Sequence, residues 1–126
     1  MTQNTRTQST TIGLRDEGIA SPRTTLDWST STSKRLRIVE PCAIAFEDPY
    51  AGDLYVLELE HDHDGGASVE WRTPIVWATT SHQPPSLSGP GLRDILTFYH
   101  DGTDYIGAEF ARGIPAARAM TTGPRR

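Results

Sequence analysis

The stretch FYHDGTDYIGAEF, residues 98–110, sets two short apolar-aromatic runs on either side of Asp101-Gly102. Asp-Gly between such runs is a hairpin signal, because glycine takes up the positive φ that a tight turn between two strands requires. Upstream, DLYVLELEH (53–61) alternates with the two-residue period of a strand. Tyr55, Leu57 and Leu59 share one face. Leu54, Val56, Glu58 and Glu60 share the other, which turns from apolar to acidic along its length and is expected to be half covered.

Working outward, the same signature recurs at 24–28 (TTLDW), 35–39 (RLRIV), 43–46 (AIAF), 67–72 (ASVEWR), 75–77 (IVW), 92–99 and 104–110. These runs are short, rich in Val, Ile, Leu and aromatics, and bounded by turn residues. Pro41, Pro49, Pro74, Pro84, Pro85 and Pro90 interrupt every long window, so nothing reads as a helix longer than one turn. HDHDGG (61–66) is expected to turn strand 53–61 into strand 67–72, and SHQPPSLSGPG (81–91) to form a stiff loop along an edge. The expected fold is all-β: a small antiparallel β-sandwich, jelly-roll-like, with an extended N-terminal arm.

The 126 residues suit one domain. Hydrophobic residues make up 36% of them, below the roughly 45–50% of an average domain, so part of the chain is expected to lie outside the core. Residues 1–33 supply that part. They hold nine Thr and five Ser with no sustained apolar period, too little to offset the entropy of ordering alone. The expected division is an arm over 1–24, a β-domain over 25–112 and a tail over 113–126. Ile12, Leu14 and Ile19 are the apolar plugs with which the arm would anchor to a larger body.

Charge is distributed in blocks. Residues 40–109 carry 13 acidic groups against Arg72 and Arg93, a balance of −11, while the two flanks together come to +7. The acidic centre argues against nucleic acid as a partner, and basic flanks suit acidic partners or the acidic centre of neighbouring copies. No apolar run approaches a membrane span, and the N-terminus lacks the apolar core of a secretory signal. A soluble product made in the cytosol, without membrane insertion, is the expectation.

Candidate chemistry is sparse. In HDHD (61–64), His61 and His63 could grip one ion shared between subunits, with aspartates adding oxygen ligands. A solvated turn is the simpler reading, and no cofactor is expected. The single cysteine, Cys42, excludes an intrachain disulfide and reads as a small buried side chain. Ser81-His82 lacks a nucleophile-elbow context, and no phosphate-cradling glycine loop occurs. Glu58 and Glu60 read as an acidic strand face rather than a hydrolytic pair. Trp71, Trp77, Tyr99 and Tyr105 are the aromatics that could form a ligand-stacking platform, with a core role as the alternative.

Taken together, LDWSTSTSKRLRI, AIAFEDPYAGDLYVLELEHDHDGGASVEW and IVWATTSHQPPSLSGPGLRDILTFYHDGTDYIG resemble small β-domains of bacteriophage tail fibres and related virion appendage proteins. The resembling pieces are Asp27-Trp28, Phe46 to Gly52, Tyr55/Leu57/Leu59, Gly66 to Trp71, Trp77, Pro85 to Leu87 and Asp94 through Gly107. They span roughly residues 25–110, and the closing hairpin LTFYHDGTDYIG is their most specific part. The resemblance implies a non-enzymatic structural protein of a bacteriophage virion, made in the host cytoplasm and usually a homotrimer. A module preceded only by a Thr-rich arm resembles a capsid decoration, spike or adaptor more than a whole tail fibre. Residues 1–24 would bind other virion proteins, and the outward face would serve host attachment, touching surface glycans. The alternative is a carbohydrate-binding receptor-recognition module at the tail tip.

Overall fold

The computed structural model of the chain describes residues 13–62 and 68–115. Nine strands and no helix form among them: β1 Arg15–Ile19, β2 Arg23–Asp27, β3 Ser33–Ile38, β4 Cys42–Glu47, β5 Leu54–His61, β6 Val69–Trp71, β7 Ile75–Trp77, β8 Leu92–His100 and β9 Tyr105–Pro115. They make a six-stranded sheet in the order β1-β3-β5-β8-β9-β7 and a three-stranded sheet in the order β2-β4-β6.

The first six strands alternate between the two sheets, so the chain winds as a short coil. Arg15 lies beside Lys34, and Lys34 beside Leu57. Across the core, Arg23 lies beside Ala43, and Ala43 beside Glu70. All four of these pairings are parallel. Then β7 crosses to the far edge of the large sheet, where it pairs in parallel with β9, while β8 joins β5 and β9 antiparallel.

The antiparallel, jelly-roll-like arrangement expected from the sequence therefore does not form. Alternating hydrophobicity tells which face of a strand is buried but carries no information on the direction of its neighbour. Parallel neighbours need a crossover connection, and within β1–β6 each crossover is itself a strand of the opposite sheet. The turn expected to make a hairpin of 53–61 and 67–72 instead carries the chain between sheets, and His63 and the rest of 63–67 lie outside the described residues.

The expected arm also changes. Residues 15–19 are an edge strand of the large sheet, and β2 begins at Arg23, so the boundary between 24 and 25 falls inside a strand. Almost every position of β1 faces solvent, which is why it shows no apolar period. Ladder bonds to β3 hold it, extended by the Ala20 amide donating to Arg37 O at 2.8 Å, and charge fixes it. Lys34, fully buried, donates to Glu17 Oε2 at 2.8 Å, Thr30 Oγ1 at 2.7 Å and Ser31 Oγ at 3.0 Å, with the Trp28 ring 5.6 Å away. All three ammonium protons thus have an acceptor, which a buried charge requires. At the other terminus β9 runs to Pro115, past the expected tail boundary at 113, and residues 116–126 lie outside the described residues.

The core fills the space between the sheets. Leu36, Ile38, Tyr55, Leu57, Leu59, Leu96 and Phe98 project from the large sheet toward Leu26, Trp28, Ile44 and Phe46. Phe46 is the hub: its ring centroid lies 5.3 Å from Trp28, 4.8 Å from Phe98, 5.1 Å from Tyr105 and 6.1 Å from Trp71, all edge-on. Each such pair contributes about 0.5–1.5 kcal/mol beyond area burial, which helps a chain of low hydrophobic content hold two sheets together. At Gly107 any Cβ would meet the Trp77 ring at 2.8 Å, so only glycine lets that ring lie flat on β9.

Candidate functional site

Of the four aromatics proposed as a ligand platform, the structure separates two pairs. Trp77 and Tyr105 are buried core residues and present no face to a ligand. The Tyr105 hydroxyl is pushed up to about 12 by burial and by the nearby Tyr55 and Asp48. Tyr99 stands exposed on the outer face of β8. Trp71, half-buried at the end of β6, opens on a cleft of about 400 Å³.

That cleft runs between the edge strand of the small sheet and the Pro-rich loop. Ser68, Val69 and Trp71 form one wall, and Pro84, Pro85, Leu87 and Ser88 the other. Trp71 is braced from the core side by Phe46, Trp77 and Phe98, at 6.1, 5.5 and 5.7 Å between centroids. A braced indole against a diproline wall suits a flat apolar face, such as one side of a sugar ring or a proline. The volume is in the range of small-ligand sites, about 300–1,000 Å³. The sequence reading found Trp71 but not its opposite wall. The Pro84-Pro85 stiffness was the available signal, while its pairing with β6 depends on the tertiary crossover.

A buried polar knot holds this loop. Asp94 on β8 accepts from Ser88 Oγ at 2.6 Å, from Ser88 N at 2.7 Å and from Gly113 N at 3.0 Å, and it bonds His61 Nε2 at 2.9 Å. Burial pushes the Asp94 carboxyl up, but the bonds from Ser88, His61 and Gly113 outweigh it and leave its pKa below the usual range. The trio holds the residue types of a hydrolase in a different order. Ser88 Oγ donates to the carboxylate rather than to the imidazole, so His61 does not activate the hydroxyl as in a catalytic triad. His61, which the sequence offered as a candidate ligand beside His63 but favoured as part of a solvated turn, is instead fully buried against Asp94. Cys42 is buried too, and desolvation, with the charge of Glu40 added, pushes its thiol up and away from the nucleophilic thiolate.

One carboxylate cluster escaped the sequence reading. Asp27, Glu47 and Asp48 bring oxygens within 4.8 Å of one another, because parallel register sets Asp27 beside Glu47. Hydrogen bonds from the Ser29 hydroxyl and amide lower Asp27, whereas desolvation and the Asp27 charge raise Asp48. The pair thus relieves its repulsion by Asp48 taking up a proton before Asp27 does. No sequence signal marks the cluster, since it exists only through strand register.

The charge blocks partly cancel within the chain. Arg35 bonds Glu58 at 3.2 Å and reaches Asp16 at 4.0 Å, Arg93 bonds the same Glu58 at 3.3 Å, and Arg37 bonds Glu60 at 3.6 Å. Two arginines of the basic flank are therefore engaged with the acidic centre of their own chain. Among the anchor candidates, Leu14 and Ile19 are exposed beside the open side of β1, and Ile12 lies outside the described residues. No protein-family model matches the chain, and neither does any curated protein or solved structure.

Proposed function

We propose that the chain is a non-enzymatic structural protein of a bacteriophage virion, a decoration, spike or fibre-type module that works as a homotrimer. The observation that carries this reading is the resemblance of residues 25–110, with the closing hairpin β8–β9 as its most specific part. Two further features support it. Among the described residues one side of β1 has no strand beside it, and Leu14 and Ile19 stand exposed there, an edge able to lie against another virion protein. The titratable trio His61, Asp94 and Ser88 is spent on holding a loop.

Because β1 belongs to the domain, the anchor is best tested without deleting it. A chain lacking residues 1–12 and carrying Leu14→Asp and Ile19→Asp should keep its β-type circular dichroism and be lost from purified particles. Retention of that variant at wild-type occupancy would remove the anchor, and absence of the wild-type chain from particles would remove the function.

The second reading, a carbohydrate-binding module at the tail tip, is favoured by the Trp71 cleft with its Pro84-Pro85 wall. Binding on a glycan array that Trp71→Ala abolishes, with the fold intact, would establish it.

A further inference from the structure

The outer face of the large sheet carries one continuous apolar row. Leu54 lies beside Tyr99, Tyr99 beside Ile106, and Ile106 beside Val76, so β5, β8, β9 and β7 contribute one large side chain each at the same level. Their chain neighbours Tyr55, Phe98, Tyr105 and Trp77 point into the core, which fixes these four on the opposite face. Leu54, Val76 and Tyr99 are 56, 54 and 41% exposed. The next level continues the band with Val56 and Ala108, both half-buried. Scattered exposed apolar residues are ordinary, but four in register across adjacent strands form a patch.

We infer that this face is where copies of the chain pack against one another, with the row Leu54–Tyr99–Ile106–Val76 at the centre of the interface. Charge selects a second copy as the occupant. The central stretch 40–109 sums to −11, so copies of the chain meet most readily where that charge is already offset. The outer face of the large sheet is such a place. Beside the apolar row it carries Asp16, Glu58 and Glu60 against Arg35, Arg37 and Arg93, three of each sign and ion-paired among themselves. Two copies can meet there without net repulsion.

Area is sufficient. Six strands about 4.8 Å apart, at about 3.3 Å per residue, cover roughly 600 Å² in plan, and the corrugated accessible area is larger. A stable interface asks about 800 Å² of each partner. Three such faces turned toward a common axis would bury their rows against one another, the closed arrangement that a homotrimer needs.

The inference gives a surface to the self-assembly in the proposed function and rests on that reading only for its biological setting. Sedimentation of the full chain at micromolar concentration tests it. The wild type should be oligomeric. The double variant Tyr99→Lys/Val76→Lys should be monomeric, its association weakened at least about 100-fold, with unchanged circular dichroism. Leu54→Lys, at the other end of the row, should weaken association in the same direction and guards against a misfolded double variant. Phe110→Lys, a more exposed aromatic that has no register partner in the row, should assemble like the wild type. A monomeric wild type, a double variant that assembles normally, or dissociation by Phe110→Lys would each overturn the inference. An oligomer that depends on the row but never enters particles would sustain it and remove the proposed function instead.

Discussion

The closing hairpin and the opening coil are built from the same kinds of residue, yet they are held in different ways. In β8–β9 each strand meets the next one in sequence, across a four-residue connection capped by Asp101. Its Oδ1 accepts the amides of Thr103 and Asp104 at 2.8 and 2.7 Å. Gly102 supplies the positive φ, and desolvation of Asp101 is outweighed by those amide bonds, which lower its carboxyl. In β1–β6 no strand pairs with its chain neighbour. There, stability depends on partners that meet only when a full turn of the coil has closed, such as Lys34 with Glu17 or Trp28 with Tyr55. Local contacts cost little loop entropy, whereas remote ones reward the chain only after that cost is met.

The comparison can be broken first at its seam. Asp94 joins β8 of the hairpin to His61 of the coil, to the Pro-rich loop and to Gly113 of β9. Asp94→Ala should cost about 4 kcal/mol, because several buried donors lose their acceptor at once. Urea unfolding at unchanged m-value would measure it. The same group predicts acid sensitivity. Its folded pKa lies below the unfolded value of about 3.9, so its stabilising share is complete above that pH and is lost as pH falls through the folded value. The melting temperature should hold from neutral pH down to about 4 and then drop, more steeply in the wild type than in Asp94→Asn.

Next in size is the coil's own lock. Glu17→Ala leaves the buried Lys34 ammonium without its carboxylate and should cost about 3 kcal/mol. Hydrogen exchange should show β1 and the start of β3 losing protection before β8–β9 does. If the hairpin opens first, the two regions are not held as described. A smaller effect belongs to the hairpin. Gly102→Ala has room, its nearest neighbour being Ala51 Cβ at 3.5 Å, but φ is +101°, and it should cost about 1–2 kcal/mol. The smallest sharpens the outer face: a double-mutant cycle on Arg35 and Glu58 should give about 0.5 kcal/mol, fading with salt.

The site was partly legible for the same reason as the fold. Trp71 stood out as a bulky aromatic at the end of a strand-like run, and Tyr99 as a member of an alternating strand. The burial of Trp77 and Tyr105, the Pro84-Pro85 wall and the His61–Asp94 bond all arise from residues that come together only through strand crossovers. Asp27 and Glu47 meet for a subtler reason, since they are neighbours only in parallel register. The apolar row is similar: Leu54, Tyr99, Ile106 and Val76 look unremarkable one at a time, and only register lines them up.

By itself, the sequence determined that the chain from about residue 24 onward is β, that a tight turn falls at Asp101-Gly102, and that Tyr55, Leu57 and Leu59 form the inward face of β5. Side-chain alternation, proline spacing and Asp-Gly act within a few residues and need no knowledge of partners. Tertiary structure alone decided that the first six strands wind in parallel between two sheets, that a charged segment without apolar period becomes the edge strand β1, and that Arg35 and Arg37 pair with Glu58 and Glu60. Strand direction, register and ion pairing are relations between segments some twenty residues apart, and alternation along one strand reads the same whichever way its neighbour runs.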